Sequence, residues 1–236
     1  MTSGDLLADR IAGSNVLVAI DGPAGSGKSS VAQAVAERLG FAKLDTGATY
    51  RAVALVALGE GVDPDDGTAL AAIAGDVDLT ATGVFYRGER IPEEALRTPE
   101  VSAAASRVSA HAELREVLVE RQRAAAREAQ AAGGAVVEGR DIGTVVLPES
   151  GLKVFLLASP EERARRRALQ TGREEELGRI REAMRTRDRR DSEREASPLK
   201  PAPDAVVLDT TGLPLEEVVA RIVELAREVR EGAKGQ

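Results

Sequence analysis

The sequence predicts an α/β chain built on a doubly wound, parallel five-stranded sheet with helices on both faces. Three observations carry that expectation. Five apolar, strand-like runs alternate with helical stretches. An unbroken G-x-x-x-x-G-K-[ST] pattern fills positions 22–29, between the first apolar run and the first helix. A segment of different texture, rich in turns and short strands, interrupts the alternation between 59 and 111.

Taken in order, residues through Ile11 read as a short helix or tail, and the core begins at Asn15. Val16 to Ile20 is a continuous apolar run, as expected of a strand buried on both faces. Ser29 to Leu39 carries apolar residues at helical spacing. Phe41 to Asp45 reads as a second strand and Thr49 to Leu58 as the helix after it. From Gly59 the texture changes to a Pro/Asp/Gly turn, a small alanine-rich helix and short strands with tight turns over Val77 to Ile91, an inserted lobe ending at His111. A long helix over 112–131 returns to the core, where Ala135–Gly139 and Leu152–Ala158 supply two further strands. Ala205–Asp209 is the last strand and Pro214 to Glu231 the closing helix. The expected division is therefore a tail (1–14), a core (15–58, 112–159 and 201–236), a lobe (59–111) and a lid region (160–200).

Each residue of the glycine pattern has a physical task. Gly22, Gly25 and Gly27 let the backbone curl so that the N–H groups from Gly22 to Ser30, with Pro23, Ala24 and Ser26 between them, can face phosphate oxygens. The helix N-terminus adds partial positive charge to that nest. Lys28 can reach the β and γ phosphates of a nucleoside triphosphate, and the Ser29 hydroxyl can ligate Mg²⁺. A dinucleotide fingerprint fits poorly, because the third glycine of a G-x-G-x-x-G starting at Gly25 would fall on Ser30.

Composition removes whole classes of chemistry. With 236 residues and 43% hydrophobic content the chain can bury a sizeable core. A net charge of −7 argues against general affinity for nucleic acid. The absence of a long apolar stretch or a signal-peptide layout leads to the expectation of a soluble, cytoplasmic protein with no membrane role. With no cysteine, disulfides, thiolate metal sites and cysteine nucleophiles are excluded. The single histidine, His111, stands at a helix junction, where a surface or capping role is expected. Phosphoryl transfer suits what remains, since it relies on positioning and charge neutralisation more than on acid–base groups. A guanine-reading Asn-Lys-x-Asp element is missing, because the only asparagine, Asn15, precedes Val16.

Arginine supplies 27 of the 32 basic residues. Many crowd the 160–200 segment, where they can form a solvated helix laced by ion pairs or a mobile lid that carries guanidinium groups onto a phosphoryl group. Arg187, Arg190 and the Arg163–Arg167 group are the candidates for that charge.

Three segments belong with the glycine loop: Leu44-Asp45-Thr46-Gly47-Ala48-Thr49-Tyr50-Arg51, Val137-Glu138-Gly139-Arg140-Asp141-Ile142-Gly143-Thr144, and Arg187 to Arg194 followed by Ala196-Ser197-Pro198-Leu199. In these the chain resembles the bacterial cytidylate kinases of the P-loop nucleoside monophosphate kinase superfamily, from Ile11 onward and including the lobe. The resemblance implies transfer of the γ-phosphoryl group of ATP to CMP or dCMP with Mg²⁺; a monomer is expected, though the sequence does not disclose the oligomeric state. It places ATP on Gly22 through Ser30, and the acceptor phosphate on Arg51 and Arg140 beside Asp45 and Thr46. Ser106, Arg115, Asp141 and Arg194 then face cytosine, and Arg187 and Asp191 lie near the pentose. Lys28, Arg140, Arg187 and Arg190 are the expected catalytic charges. From the residues alone, Asp45 can equally cap the helix that follows, Tyr50 can be packing, and Asp141 can be a helix cap or the partner of Arg140. The remaining alternatives are a kinase for UMP, AMP or shikimate, and a nucleotide-dependent binding or switch module.

Overall fold

A computed structural model describes residues 16–194 and 196–234; the expected N-terminal tail lies outside the described residues. Five parallel strands form the central sheet: β1 (Val16–Asp21), β2 (Ala42–Asp45), β6 (Gly134–Glu138), β7 (Leu152–Leu157) and β8 (Val206–Asp209), in the order β2-β6-β1-β7-β8. All six residues of β1 are buried. Their alternation divides the core, because Leu17 and Ala19 face one layer while Val16, Val18 and Ile20 face the other.

On the second of these faces lie α1 (Lys28–Leu39) and α9 (Leu215–Lys234), contributing Val31, Val35, Leu39, Val219 and Ile222. The first is covered by α2 (Thr46–Glu60) and α6 (Ala112–Ala131), through Val53, Leu114 and Leu118. Truncating either of these two fully buried leucines to alanine would cost on the order of 2–5 kcal/mol. Helices on both faces of a five-stranded parallel sheet are what the sequence predicts.

Boundaries shift where caps act. The second helix begins at Thr46 instead of Thr49, because Asp45 is its N-cap and its Oδ1 accepts from the Ala48 N–H at 3.1 Å. The 59–111 segment contains α3 (Gly67–Gly75), the antiparallel strands β3 (Val77–Thr80), β4 (Gly83–Tyr86) and β5 (Glu89–Arg90), then α4 (Glu93–Leu96) and α5 (Pro99–Val108). Leu70, Val77 and Val101 from this segment join the core layer of α2 and α6. His111 is the N-cap residue of α6, and its Nε2 lies 2.9 Å from the Pro64 carbonyl. Ser106 and Arg115 therefore stand on separate helices.

Two helices, α7 (Pro160–Thr171) and α8 (Leu177–Glu193), make the arginine-rich region, packed together through Ala164, Ala168, Ile180 and Met184. A feature the sequence did not suggest is a π-helical turn over Ile142–Val146, directly after Arg140-Asp141.

Candidate active site

The sheet order locates the site. From β1 the chain crosses toward β2 on one side, while β7 and β8 lie on the other, so the carboxyl end of β1 is a topological switch point. The glycine loop leaves from that end. In the parallel register Ile20 stands opposite Glu138, so the loop and the Arg140-Asp141 turn emerge side by side. Above them lies a cavity of about 1280 Å³, lined by the loop, α2, α5, the Arg140 turn and the helices α7 and α8. A site for one small ligand is typically roughly 300–1000 Å³, so there is room for two substrates.

Two glycines of the loop are required by geometry. Gly22 has φ +150°, and a Cβ there would lie 2.3 Å from the Leu156 carbonyl oxygen. Gly27, with φ +91°, is the left-handed N-cap residue that turns the loop into α1. Lys28 is buried, and its Nζ donates to the Pro23 carbonyl at 2.8 Å. Burial and the like charge of Arg140 hold this ammonium well below the usual lysine range. An incoming polyanion would relieve both penalties.

Ser29 Oγ donates to Glu138 Oε2 at 2.7 Å, and Lys43 Nζ lies 3.3 Å from the other oxygen of Glu138. Burial, followed by the nearby Asp45 charge, raises the Glu138 carboxyl above its ordinary range. A hydroxyl beside a carboxylate is a hard oxygen pair of the kind Mg²⁺ takes alongside substrate phosphates, so these residues fit that ion. Sequence reasoning missed Glu138, although an acidic residue ending an apolar strand two positions before Arg140 is a usable signal.

Arg51 Nη2 donates to Asp45 Oδ2 at 2.7 Å, so Asp45 both caps α2 and anchors Arg51. Burial alone would raise the Asp45 carboxyl, yet Arg51 and then Lys43 hold it below the ordinary range. Thr46 lines the cavity, but its hydroxyl donates to the Glu138 carbonyl at 2.8 Å. Across the cleft Arg140 Nε donates to Asp191 Oδ2 at 3.1 Å, and Arg187 Nε lies 3.8 Å from the same carboxylate. Burial and the neighbouring Arg140 lower Arg187 to about 10. Two guanidinium groups sharing one buried carboxylate leave a surplus of positive charge for an anion.

At the other end Asp141 is buried between Arg115 and Arg194. The guanidinium of Arg115 donates to Asp141 Oδ2, and Arg194 Nη2 lies 3.9 Å from Oδ1. Arg115 also lies over the Tyr50 ring at 5.4 Å, and the Tyr50 hydroxyl, buried against the cavity, makes no hydrogen bond within 3.5 Å among the described residues. Asp141 does not cap the π-helical turn with its side chain. Arg190 reaches Ser106 Oγ at 3.0 Å, which ties α8 to α5 beside this cluster rather than to the glycine loop.

The arginines of α7 separate by their partners. Arg163 donates to the Ala24 carbonyl at 3.1 Å and to Asp188, while Arg166 holds the Thr210 carbonyl at 2.6 Å. Arg165 pairs with Glu162 on the surface. Arg167 lines the cavity, bonds only to Gln170 and has no carboxylate within 4 Å among the described residues. Burial, then the like charges of Arg97 and Arg51, lower its basicity. Arg97 from the lobe also lines the cavity and escaped the sequence reading.

The model of the cytidylate kinase family matches residues 18–228. The chain belongs to the cytidylate kinase family. It is 48% identical over 219 residues to a cytidylate kinase from Desulfitobacterium hafniense, covering 89% of this chain and 92% of that one. A Geobacter sulfurreducens cytidylate kinase is 44% identical over 229 residues, covering 93% and 96%. Among solved structures, an uncharacterized protein from Eubacterium ventriosum aligns over 91% of this chain and 99% of its own, with a TM-score of 0.51 and 12% identity, a likeness of fold. The segments in which the sequence resembles that family fall on the cavity just described, with the glycine loop at one end and Asp141 at the other.

Proposed function

We propose that this member of the cytidylate kinase family transfers the γ-phosphoryl group of ATP to CMP or dCMP, giving ADP and CDP or dCDP. The observation that carries the reading is the buried Arg115–Asp141–Arg194 cluster at the end of the cavity, beside the Arg140–Asp191 pair. A carboxylate accepts from the exocyclic amine of cytosine and would face a carbonyl in uracil. Here Asp141 reads the base, with Ser106, Arg115 and Arg194 around it. Arg187 and Asp191 hold the pentose, and Arg51 and Arg140 the acceptor phosphate, beside Asp45 and Thr46.

Gly22 through Ser30 hold the triphosphate of ATP. Lys28 leaves the Pro23 carbonyl for the phosphates, and Arg140 and Arg187 lie against the transferring group. Mg²⁺ when bound neutralises charge on the donor phosphates; Ser29 and Glu138 would hold it. No general base is needed, because a phosphate monoester is largely ionised near neutral pH. Catalysis is alignment and charge neutralisation away from water. Residues 59–111 act as the acceptor-side lobe and 160–200 as the lid. The chain works as a monomer in the cytoplasm, without nucleic acid or membrane partners; no helix of the described residues is long and apolar enough to cross a membrane.

The test is an acceptor panel with coupled ADP detection. Fast turnover with CMP and dCMP is expected. Turnover with AMP, UMP or shikimate but not CMP would overturn the assignment, and ADP release unchanged by any acceptor would favour a switch module.

A further inference from the structure

The first amides of a helical turn have no acceptor within it, and ordinarily the residue before the turn caps them with its own side chain. At the π-helical turn over Ile142–Val146 that residue is Asp141, whose carboxylate instead faces Arg115 and Arg194. The cap is supplied from another strand. Asp21 Oδ1 accepts from the Ile142 N–H at 2.8 Å, and Oδ2 from the Gly143 N–H at 2.7 Å. Asp21 is buried, and neither it nor the two amide-bearing residues line the substrate cavity. In the chain it immediately precedes Gly22, the first residue of the glycine loop. The Gly139 N–H, bonded to the Ile20 carbonyl at 3.0 Å, secures the other side of the turn.

From this arrangement the structure assigns to Asp21 the role of a positioning residue: it caps the turn in place of Asp141, freeing the Asp141 carboxylate for the acceptor and fixing Arg140-Asp141 relative to the donor loop. The assignment rests on the proposed kinase reading for what the acceptor is. A carboxylate in this position is costly. Burial raises its pKa to about 6, against the pull of the Gly143 and Ile142 amides and of Lys28, and the nearby Asp141 charge adds to the rise. An apolar residue ending β1 would avoid that cost, but it would leave two buried amides unpaired directly beside Asp141 in the chain. π-Helical turns are rare and are found mostly at functional sites, as here.

The experiment compares wild type with Asp21→Asn and Asp21→Ala by steady-state kinetics, varying CMP, UMP and ATP separately. The isosteric Asn keeps one acceptor and turns an N–H toward the other amide. The expected result is a KM for CMP raised by about tenfold or more, a reduced preference for CMP over UMP, and an ATP KM within about twofold of wild type. A purely structural role would lower the melting temperature and the active fraction while leaving the acceptor KM and the CMP/UMP ratio unchanged, and that result overturns the assignment. Wild-type turnover tests the reading beneath it; if another monophosphate is the acceptor, its KM is the one compared. Amide exchange in the wild-type protein requires no variant to fold. Slow exchange at Ile142 and Gly143 is expected, and fast exchange at both would overturn the assignment.

Discussion

The Arg140 guanidinium and the Asp191 carboxylate meet at 3.1 Å, joining the turn after β6 to α8. Asp191 is 4% exposed and also faces Arg187 at 3.8 Å, so one buried anion serves two cations. Burial would raise its carboxyl, but Arg140 and then Arg187 hold it below the ordinary range. Removing it leaves like charges without their counter-ion. The variant Asp191→Ala is expected to lose about 3 kcal/mol of stability without nucleotide. In thermal melts, saturating CMP should restore part of that loss, since its phosphate brings negative charge back; equal losses with and without CMP would contradict this.

Lys28→Ala should lower kcat by roughly 10²–10³-fold or more while leaving CMP binding measurable by calorimetry. The lysine is stored on the Pro23 carbonyl within the glycine loop, at the opposite end of the cavity from Asp141. Loss of CMP binding with intact turnover would remove it from the donor side.

Asp141→Asn should reduce the preference for CMP over UMP by about tenfold or more in kcat/KM. An amide can present either a donor or an acceptor to the base, whereas the carboxylate presents acceptors only. An unchanged ratio would place base reading elsewhere.

Arg167→Ala is expected to lower kcat on the order of 10²-fold with little change in CMP KM, because this lid arginine lines the cavity without a carboxylate partner. Arg221→Ala, on the exposed face of α9 where it pairs with Glu224, serves as the control with unchanged kinetics. Equal kinetics for both variants would show that Arg167 is a solvated charge.

Asp21 makes stability depend on pH in the direction opposite to a salt-bridged acid. Its pKa rises from 3.8 to about 6 on folding, so the native state holds the proton more tightly between those values. Stability from this group therefore falls as pH climbs through that window and stays low above it. Asp21→Asn lacks the effect. Denaturant melts at pH 4 and pH 7 should show the variant gaining up to about 3 kcal/mol relative to wild type between them, and a difference flat in pH would contradict the linkage.

The donor half of the cavity was legible because its residues are contiguous: strand, glycine loop and helix report themselves within 24 positions of sequence. Arg51, Arg140 and Asp141 were reached through motif resemblance, and their convergence follows from the register of β2 and β6 at the sheet's carboxyl edge. Glu138 and Asp21 escaped because their partners are remote in the chain, 109 residues from Ser29 and 121 from Ile142. Capping by Asp45 was legible as one of its two readings, but the start of α2 at Thr46 was not, and neither was the use of one oxygen for the cap and the other for Arg51. Nor does any periodicity foretell the π-helical turn, whose first amides depend on a carboxylate from another strand.

The helix α8 touches both ends of the cavity at once. Asp188 accepts from the Ala24 N–H at 3.4 Å and pairs with Arg163, while Met184 packs against Gly25. Farther along the same helix, Asp191 and Arg190 hold Arg140 and Ser106. A rigid rod gripped at two points cannot be moved at one without moving at the other. The free energy of filling the donor end is thereby written into the affinity of the acceptor end, and thermodynamic reciprocity requires the converse. A helix held at both ends thus makes the two affinities one shared quantity, whichever nucleotide arrives first.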